Sequence, residues 1–189
     1  TLSADGGTNA LTIVIRPQDA TGATAAQLNT INDATSVAVD LTNVTGLASS
    51  SLSDLGTLAT AMTNNEFSND EGLTDIVVSD TTIDATELLV RIDSYDTING
   101  NSTTKMHLAS GATINVEAGE INEILQDHTA DRTEITDQII TVTNAITVDQ
   151  ANLLGAVTTG VVTATIATTE TITELATLNA DGGTNALTV

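Results

Sequence analysis

The sequence predicts an α/β fold: a right-handed solenoid of strand–(short strand)–helix repeats, with a parallel sheet and the helices on one side. Three observations predict it. A helix-start pattern recurs six times, an alternating apolar run precedes most of those starts, and the two ends of the chain carry nearly the same segment.

The ends come first, because repetition at a fixed period is the mark of stacked architectures. Residues 2–13 read LSADGGTNALTI and residues 178–189 read LNADGGTNALTV, an offset of 176 (178 minus 2). The chain therefore starts and stops in the same register of a longer array. It does not begin with Met and no leader-like segment stands at Thr1, so it reads as a piece of a larger protein.

The helix starts share a polar residue, a second polar residue three places later, and then Leu or Ile. The six are Thr24–Gln27–Leu28, Ser51–Asp54–Leu55, Asp84–Glu87–Leu88, Glu117–Glu120–Ile121, Asp149–Asn152–Leu153 and Thr171–Glu174–Leu175. Thr24/Gln27, Asp84/Glu87 and Thr171/Glu174 have the form of a capping box, in which each side chain satisfies a backbone N–H that the first turn leaves unpaired. The acidic members also suit the positive end of the helix dipole. Apolar residues then recur at helical spacing: Leu28 and Ile31; Leu55, Leu58 and Met62; Leu88 and Ile92; Ile121, Ile124 and Leu125; Leu175 and Leu178. The starts lie 27, 33, 33, 32 and 22 residues apart, irregular but within the solenoid range.

Strand-like runs precede the helices at 10–15, 37–41, 75–80, 105–110, 138–143, 161–167 and 186–189. Several alternate with period two. In 161–167, Val162, Ala164 and Ile166 point one way and Thr163 and Thr165 the other. Short second strands are expected at 81–83, 112–116 and 145–148, with Ile83, Val116 and Val148 just before the caps. Strand, helix, strand in succession implies right-handed crossovers and a parallel sheet. Each unit is too small to bury its own apolar face, so stacking on its neighbours must do so. The expected organisation is one continuous segment over 1–189, of about six repeats, with irregular surface insertions near 63–74 and 93–104. The second contains the turn signal Asn99-Gly100.

Composition narrows the function. Lys and Arg total 4 against 25 Asp and Glu, a net charge of -21. Phosphate recognition needs clustered cations, so nucleic acid is not the expected partner, and an anionic membrane surface would repel the chain. Such a charge favours solubility and divalent cations. No cysteine is present, which removes disulfides and thiolate metal sites. The only aromatics are Phe67 and Tyr95, so burial must come from thin layers of Leu, Ile, Val and Ala. A hydrophobic content of 40 % is too high for a disordered acidic chain, and no apolar stretch is long enough to span a membrane.

In SVAVDLTNVTGLASSSLSDLGTLAT and VVTATIATTETITELATLNADGGTNALTV, the TxTx strand, the [STD]xx[EQ]L cap and the ADGGTN turn stand together. On these the chain resembles the Thr- and Asp-rich tandem repeats of giant cell-surface proteins of marine cyanobacteria. The resemblance covers most of 1–62 and 135–189 and is looser between. It implies secretion, an extracellular or cell-surface location, and a structural, motility-associated or adhesive task, with no catalytic residues to carry over.

Few residues suggest chemistry. His107 and His128 lack a second ligand at metal spacing. Ser, Asp and Glu occur throughout without the anchored context of a catalytic motif. Calcium is the cofactor to consider, through carboxylates and turn carbonyls. The metal candidates are Glu66, Asp70, Glu71 and Asp75 in the acidic insertion, followed by the Asp5 and Asp181 turns. A Thr-lined strand face invites ice binding, but Lys105, His107, Asp40 and Val14 interrupt its rows. Asn43-Val-Thr45 and Asn101-Ser-Thr103 match the glycosylation sequon, as chance allows in so Asn- and Thr-rich a chain.

The expected function is therefore that of a non-catalytic structural repeat segment of a secreted surface-layer, filament or giant adhesin-like protein. It would associate with itself by end-to-end stacking, or continue the same array. The alternative is a calcium- or glycan-binding adhesion module. An ice-binding surface and a polysaccharide-acting enzyme come after these; Arg16, Arg91, Arg132 and Lys105 are dispersed, unlike the cations of such an enzyme site.

Overall fold

The computed structural model describes residues 9–100, 104–179 and 185–189. Parallel strand pairs and intervening helices make it an α/β structure. The chain divides into two compact units, one from Thr1–Asp80 and Val90–His107, the other from Thr81–Leu89 and Leu108–Val189.

The first unit opens with a 3-10 turn at Pro17–Asp19 and helix α1 (Ala25–Asn32). The Thr24 hydroxyl accepts the Gln27 N–H at 3.2 Å while the Gln27 side chain accepts the Thr24 N–H at 2.9 Å, so this capping box forms as its sequence predicts. Strands β1 (Val39–Asp40) and β2 (Gly46–Ser50) follow, then α2 (Leu52–Thr63). Ser51 caps α2, its hydroxyl accepting the Asp54 N–H at 3.1 Å. The helix buries Leu52, Leu55, Leu58, Ala59, Ala61 and Met62, a stripe about 100° wide or more.

The stretch 63–74, expected as a polar insertion, carries structure. Asn65 adopts a left-handed φ of 61°, which reverses the chain after α2. Phe67 of β3 (Phe67–Ser68) then pairs with Val39 and is buried, as is Leu73. Strand β4 (Asp75–Val78) joins β2 and, later, β6 (Lys105–His107) in a parallel three-stranded sheet of order β2-β4-β6. Strand β2 escapes the sequence patterning because GLASS is poor in strand formers. Its glycine is needed there, since a Cβ on Gly46 would stand 2.9 Å from the Asp75 carbonyl oxygen.

Between these lie β5 (Thr82–Asp84) and helix α3 (Ala85–Asn99). The expected insertion 93–104 is thus helical as far as Asn99, and Gly100 takes the left-handed φ of 65° that ends many helices. The sequon Asn101-Ser-Thr103 lies outside the described residues. Within the first unit the later part of α3 buries Ile92, Tyr95 and Asn99. The Asn99 amide donates to the Leu73 carbonyl oxygen at 2.6 Å and to the Thr104 hydroxyl.

The second unit is built on a five-stranded parallel sheet of order β10-β9-β8-β7-β5. Its other strands are β7 (Thr113–Val116), β8 (Ile139–Val142), β9 (Val162–Thr165) and β10 (Ala186–Thr188). The helices between them are α4 (Ile121–Thr129), α5 (Val148–Val157) and α6 (Ile172–Leu175). Register sets Ile83 beside Ile114, Ile114 beside Ile140 and Ile140 beside Val162, all buried. The alternation expected at 161–167 holds, with Val162, Ala164 and Ile166 buried and Thr163 and Thr165 exposed.

Two of the starts expected here are shifted. Helix α4 begins three residues later than Glu117–Glu120 predicts: Glu120 itself stands at the N-cap without a side-chain cap bond, its carboxylate accepting the Glu117 N–H at 2.9 Å. Asp84 Oδ1 accepts the Glu87 N–H at 3.2 Å. Thr171 and Glu174 form a full capping box. The start expected at Asp149–Asn152 lies two residues too late: Thr147 and Gln150 make the box, and Asp149 sits in the first turn of α5. Ile146, not Val148, is the buried residue before that cap. Thr and Asp are both good caps, and only the fold chooses between them.

Gly160 marks a tight corner of this unit. A Cβ there would come within 2.2 Å of the Gln138 carbonyl oxygen. That oxygen also accepts the Thr158 hydroxyl at 2.6 Å, and the Gly160 N–H donates back to that hydroxyl at 2.9 Å. Gly160→Ala should therefore force the backbone apart and cost about 1–3 kcal/mol. Urea denaturation of the two chains checks this; an unchanged midpoint would show that the corner relaxes freely.

Candidate functional site

The four carboxylates singled out in the sequence occupy different settings. Glu66 lies between α2 and β3, where its carboxylate accepts the side-chain amides of Asn32 and, at 3.4 Å, of Asn64. Asp75 opens β4, accepts the Thr74 hydroxyl at 3.2 Å and lies 3.3 Å from His107 Nε2. Asp70 and Glu71 are adjacent in the turn between β3 and β4. Burial pushes the Asp70 carboxyl above the usual range; its own backbone N–H opposes this and the neighbouring Glu71 charge adds to it. Among the described residues no three His, Cys, Asp or Glu side chains gather as a metal-binding group. The Asp5 and Asp181 turns lie outside the described residues.

This arrangement carries a prediction. Millimolar calcium should shift the Tm no further than magnesium at equal ionic strength, since Glu66 and Asp75 already have side-chain partners. A calcium-selective, saturating rise would instead report native-state binding, and its loss in Asp70→Asn with Glu71→Gln would place the ion in that turn.

A further carboxylate, Asp40 at the end of β1, gathers several donors. Asp40 Oδ1 accepts the Thr42 N–H at 2.9 Å, the Thr42 hydroxyl at 2.5 Å and the Asn69 amide at 3.0 Å. The Thr42 hydroxyl, then Asn69, then the Thr42 N–H hold this exposed carboxyl below the usual carboxylate range. The arrangement matches a side chain that closes its own turn.

Both histidines have local partners. His107 sits on β6 against Asp75, and His128 Nδ1 on α4 accepts the Ile135 N–H at 3.2 Å. The three arginines are engaged within their own neighbourhoods. Arg16 pairs with Asp19 at 3.1 Å, Arg91 donates from Nε to the Leu52 carbonyl at 3.1 Å, and Arg132 donates from Nε to Asp127 at 3.0 Å. Sequence reasoning missed this last pair, although a helix-terminal Asp five residues before an Arg was the signal for it.

A recurrent polar surface lies on the solvent side of the five-stranded sheet. One row runs Asp84, Asn115, Thr141, Thr163 and Ala186 across all five strands. In another, Thr165 and Thr188 bring their hydroxyls to 3.3 Å. Across the inter-strand spacing of about 4.8 Å the Asn115 amide and the Thr141 and Thr163 hydroxyls stand side by side, with the Asp84 carboxylate at one end.

Fold and surface together define an α/β protein of parallel strand ladders with recurrent helices, all but α4 of those described opened by a side-chain cap. No protein family, curated protein or solved structure matches the chain. Among the described residues no helix is long and apolar enough to cross a membrane.

Proposed function

We propose that the chain is a non-catalytic structural repeat segment of a secreted surface-layer, filament or giant adhesin-like protein, a right-handed solenoid of the kind its likeness to cyanobacterial surface repeats implies. The observation that carries this reading is the buried row Ile83, Ile114, Ile140 and Val162, contributed by four successive strands of one parallel ladder. Each such strand is followed by its own helix, so each unit supplies its neighbour's missing core. An acidic surface keeps a long array of such units soluble.

Two copies joined in register test it: residues 1–176 followed directly by 1–189, so that the shared end segment occurs once at the junction. In a stacked array the joined copies gain an interface, so the Tm should rise above that of one copy. Two copies that melt independently, at the Tm of one, would sink the proposal.

One observation favours a second reading, a glycan-binding adhesion module: the polar row from Asp84 to Thr163 on the open sheet face. Thr141→Val with Thr163→Val would abolish glycan capture in that case, and leave a purely structural segment unaffected.

A further inference from the structure

We infer that the edge of β9 is a docking site for a second copy of this chain, whose residues Asn9–Ile13 replace Asn185–Val189 there and join the copies head to tail. The inference rests on the repeat reading and names the junction that such an array would use.

The two segments are chemically interchangeable. Asn9, Ala10, Leu11 and Thr12 are repeated as Asn185, Ala186, Leu187 and Thr188, with Ile13 in the place of Val189. What differs is the backbone edge each one uses. In the first segment the Asn9 carbonyl accepts the Ser36 N–H at 2.7 Å, the Leu11 N–H donates to the Thr35 hydroxyl at 3.1 Å, and the Ile13 carbonyl accepts the Asp40 N–H at 2.9 Å. Odd-numbered residues thus face the strand that follows. In the last segment, Ala186, Leu187 and Thr188 pair with Thr163, Ala164 and Thr165, and the Thr188 carbonyl accepts the Ile166 N–H at 2.7 Å. Thr188 corresponds to Thr12, an even-numbered position. A parallel strand turns the groups of alternate residues to opposite neighbours. The edge that 185–189 uses towards β9 is therefore the edge opposite to the one that 9–13 uses towards 35–40. One copy of the segment can use both at once.

The side chains fit the same exchange. Asn185 Oδ1 accepts the Val162 N–H at 3.0 Å, and Asn9 carries the same carboxamide. Leu11 is 38 % exposed where it stands and would take the position of Leu187 beside Ala164. An open groove of about 660 Å³, which begins three residues further along the chain, is lined by Val14, Ala23, Ala26 and Ile31 among others. The helix that follows β9, α6, leaves Ile172 85 % exposed, an apolar side chain for such a groove. Like charge opposes joining, since each copy carries -21; salt should therefore promote it.

The test uses residues 1–189, which contain no cysteine. Leu11→Cys with Ala164→Cys should give, on oxidation at high protein concentration and salt, a ladder of disulfide-linked multimers. Adding Leu187→Asp, which weakens the chain's own strand, should increase the ladder several-fold. Ala164→Cys with Leu187→Cys should instead close within one chain and stay monomeric, which shows that the site is folded. If that control closes but Leu11→Cys with Ala164→Cys yields only unlinked monomer, even with Leu187→Asp, the junction is overturned. A monomeric result beside a raised Tm of the joined copies removes the junction and leaves the repeat reading standing. Independent melting of the joined copies removes the repeat reading, whatever the gel shows.

Discussion

Replacing Arg132 by methionine should destabilise the protein by about 3–5 kcal/mol, the cost of leaving a buried charge without its partner. Asp127 is a charged side chain in the core, 2 % exposed near the end of α4. Arg132 reaches it with Nε at 3.0 Å and with Nη2, and its N–H donates to the Asp127 carbonyl at 2.9 Å. The chain doubles back between them through Asp131, whose φ of 61° is left-handed. The pair itself adds little over an apolar pair of the same volume, because both groups lose water. Asp127→Leu combined with Arg132→Met should therefore recover most of the loss. Urea denaturation of the two single variants and the double variant measures the coupling. An Arg132→Met chain as stable as the parent would show that Asp127 finds water or another donor.

Tyr95→Ala should cost about as much, 3–5 kcal/mol, because it leaves a ring-sized cavity. Tyr95 is fully buried, and its hydroxyl donates to the Leu55 carbonyl oxygen of α2 at 3.1 Å. Tyr95→Phe keeps the ring and removes only that bond, a loss of about 1 kcal/mol. The phenol also gives stability a pH dependence. Burial pushes its pKa well above the usual value, with the Arg91 charge opposing in part. The folded pKa lies above the unfolded one, so the contribution is fully present below about pH 10 and is lost as pH rises beyond it. As this is the only tyrosine, tyrosinate absorbance should appear together with unfolding in alkali. Tyr95→Phe should flatten that limb. An ordinary phenol titration in the folded protein would contradict the burial.

The sequence reading reached different depths in different places. Helix starts were legible because a cap is a local bond between side chain and backbone, complete within four residues, as at Thr24 and Thr171. Where two polar residues compete, as Thr147 and Asp149 do, local chemistry permits both and packing of Ile146 and Val148 decides. Strand β2 was invisible because its pairing with β4 lies outside its own composition. The stretch 63–74 looked like a loop because one buried ring, Phe67, is diluted among polar neighbours. The acidic candidates share a short stretch of sequence, yet Glu66 and Asp75 answer to partners from α1 and β6.

The sequence by itself determined the period-two strands, the capped helices, the α/β class and the repeated end segment. Each of these is written in side chains a few places apart, or in plain repetition. Only the tertiary structure decided which strands pair, that Asp127 is buried with Arg132, and that the two end segments use opposite backbone edges. The strand pairs join residues more than 20 places apart, the end segments differ in backbone direction, and the Asp127–Arg132 pair, though only five residues apart, is buried by the packing around α4. Long-range pairing selects among the many local arrangements that one pattern of polar and apolar residues allows.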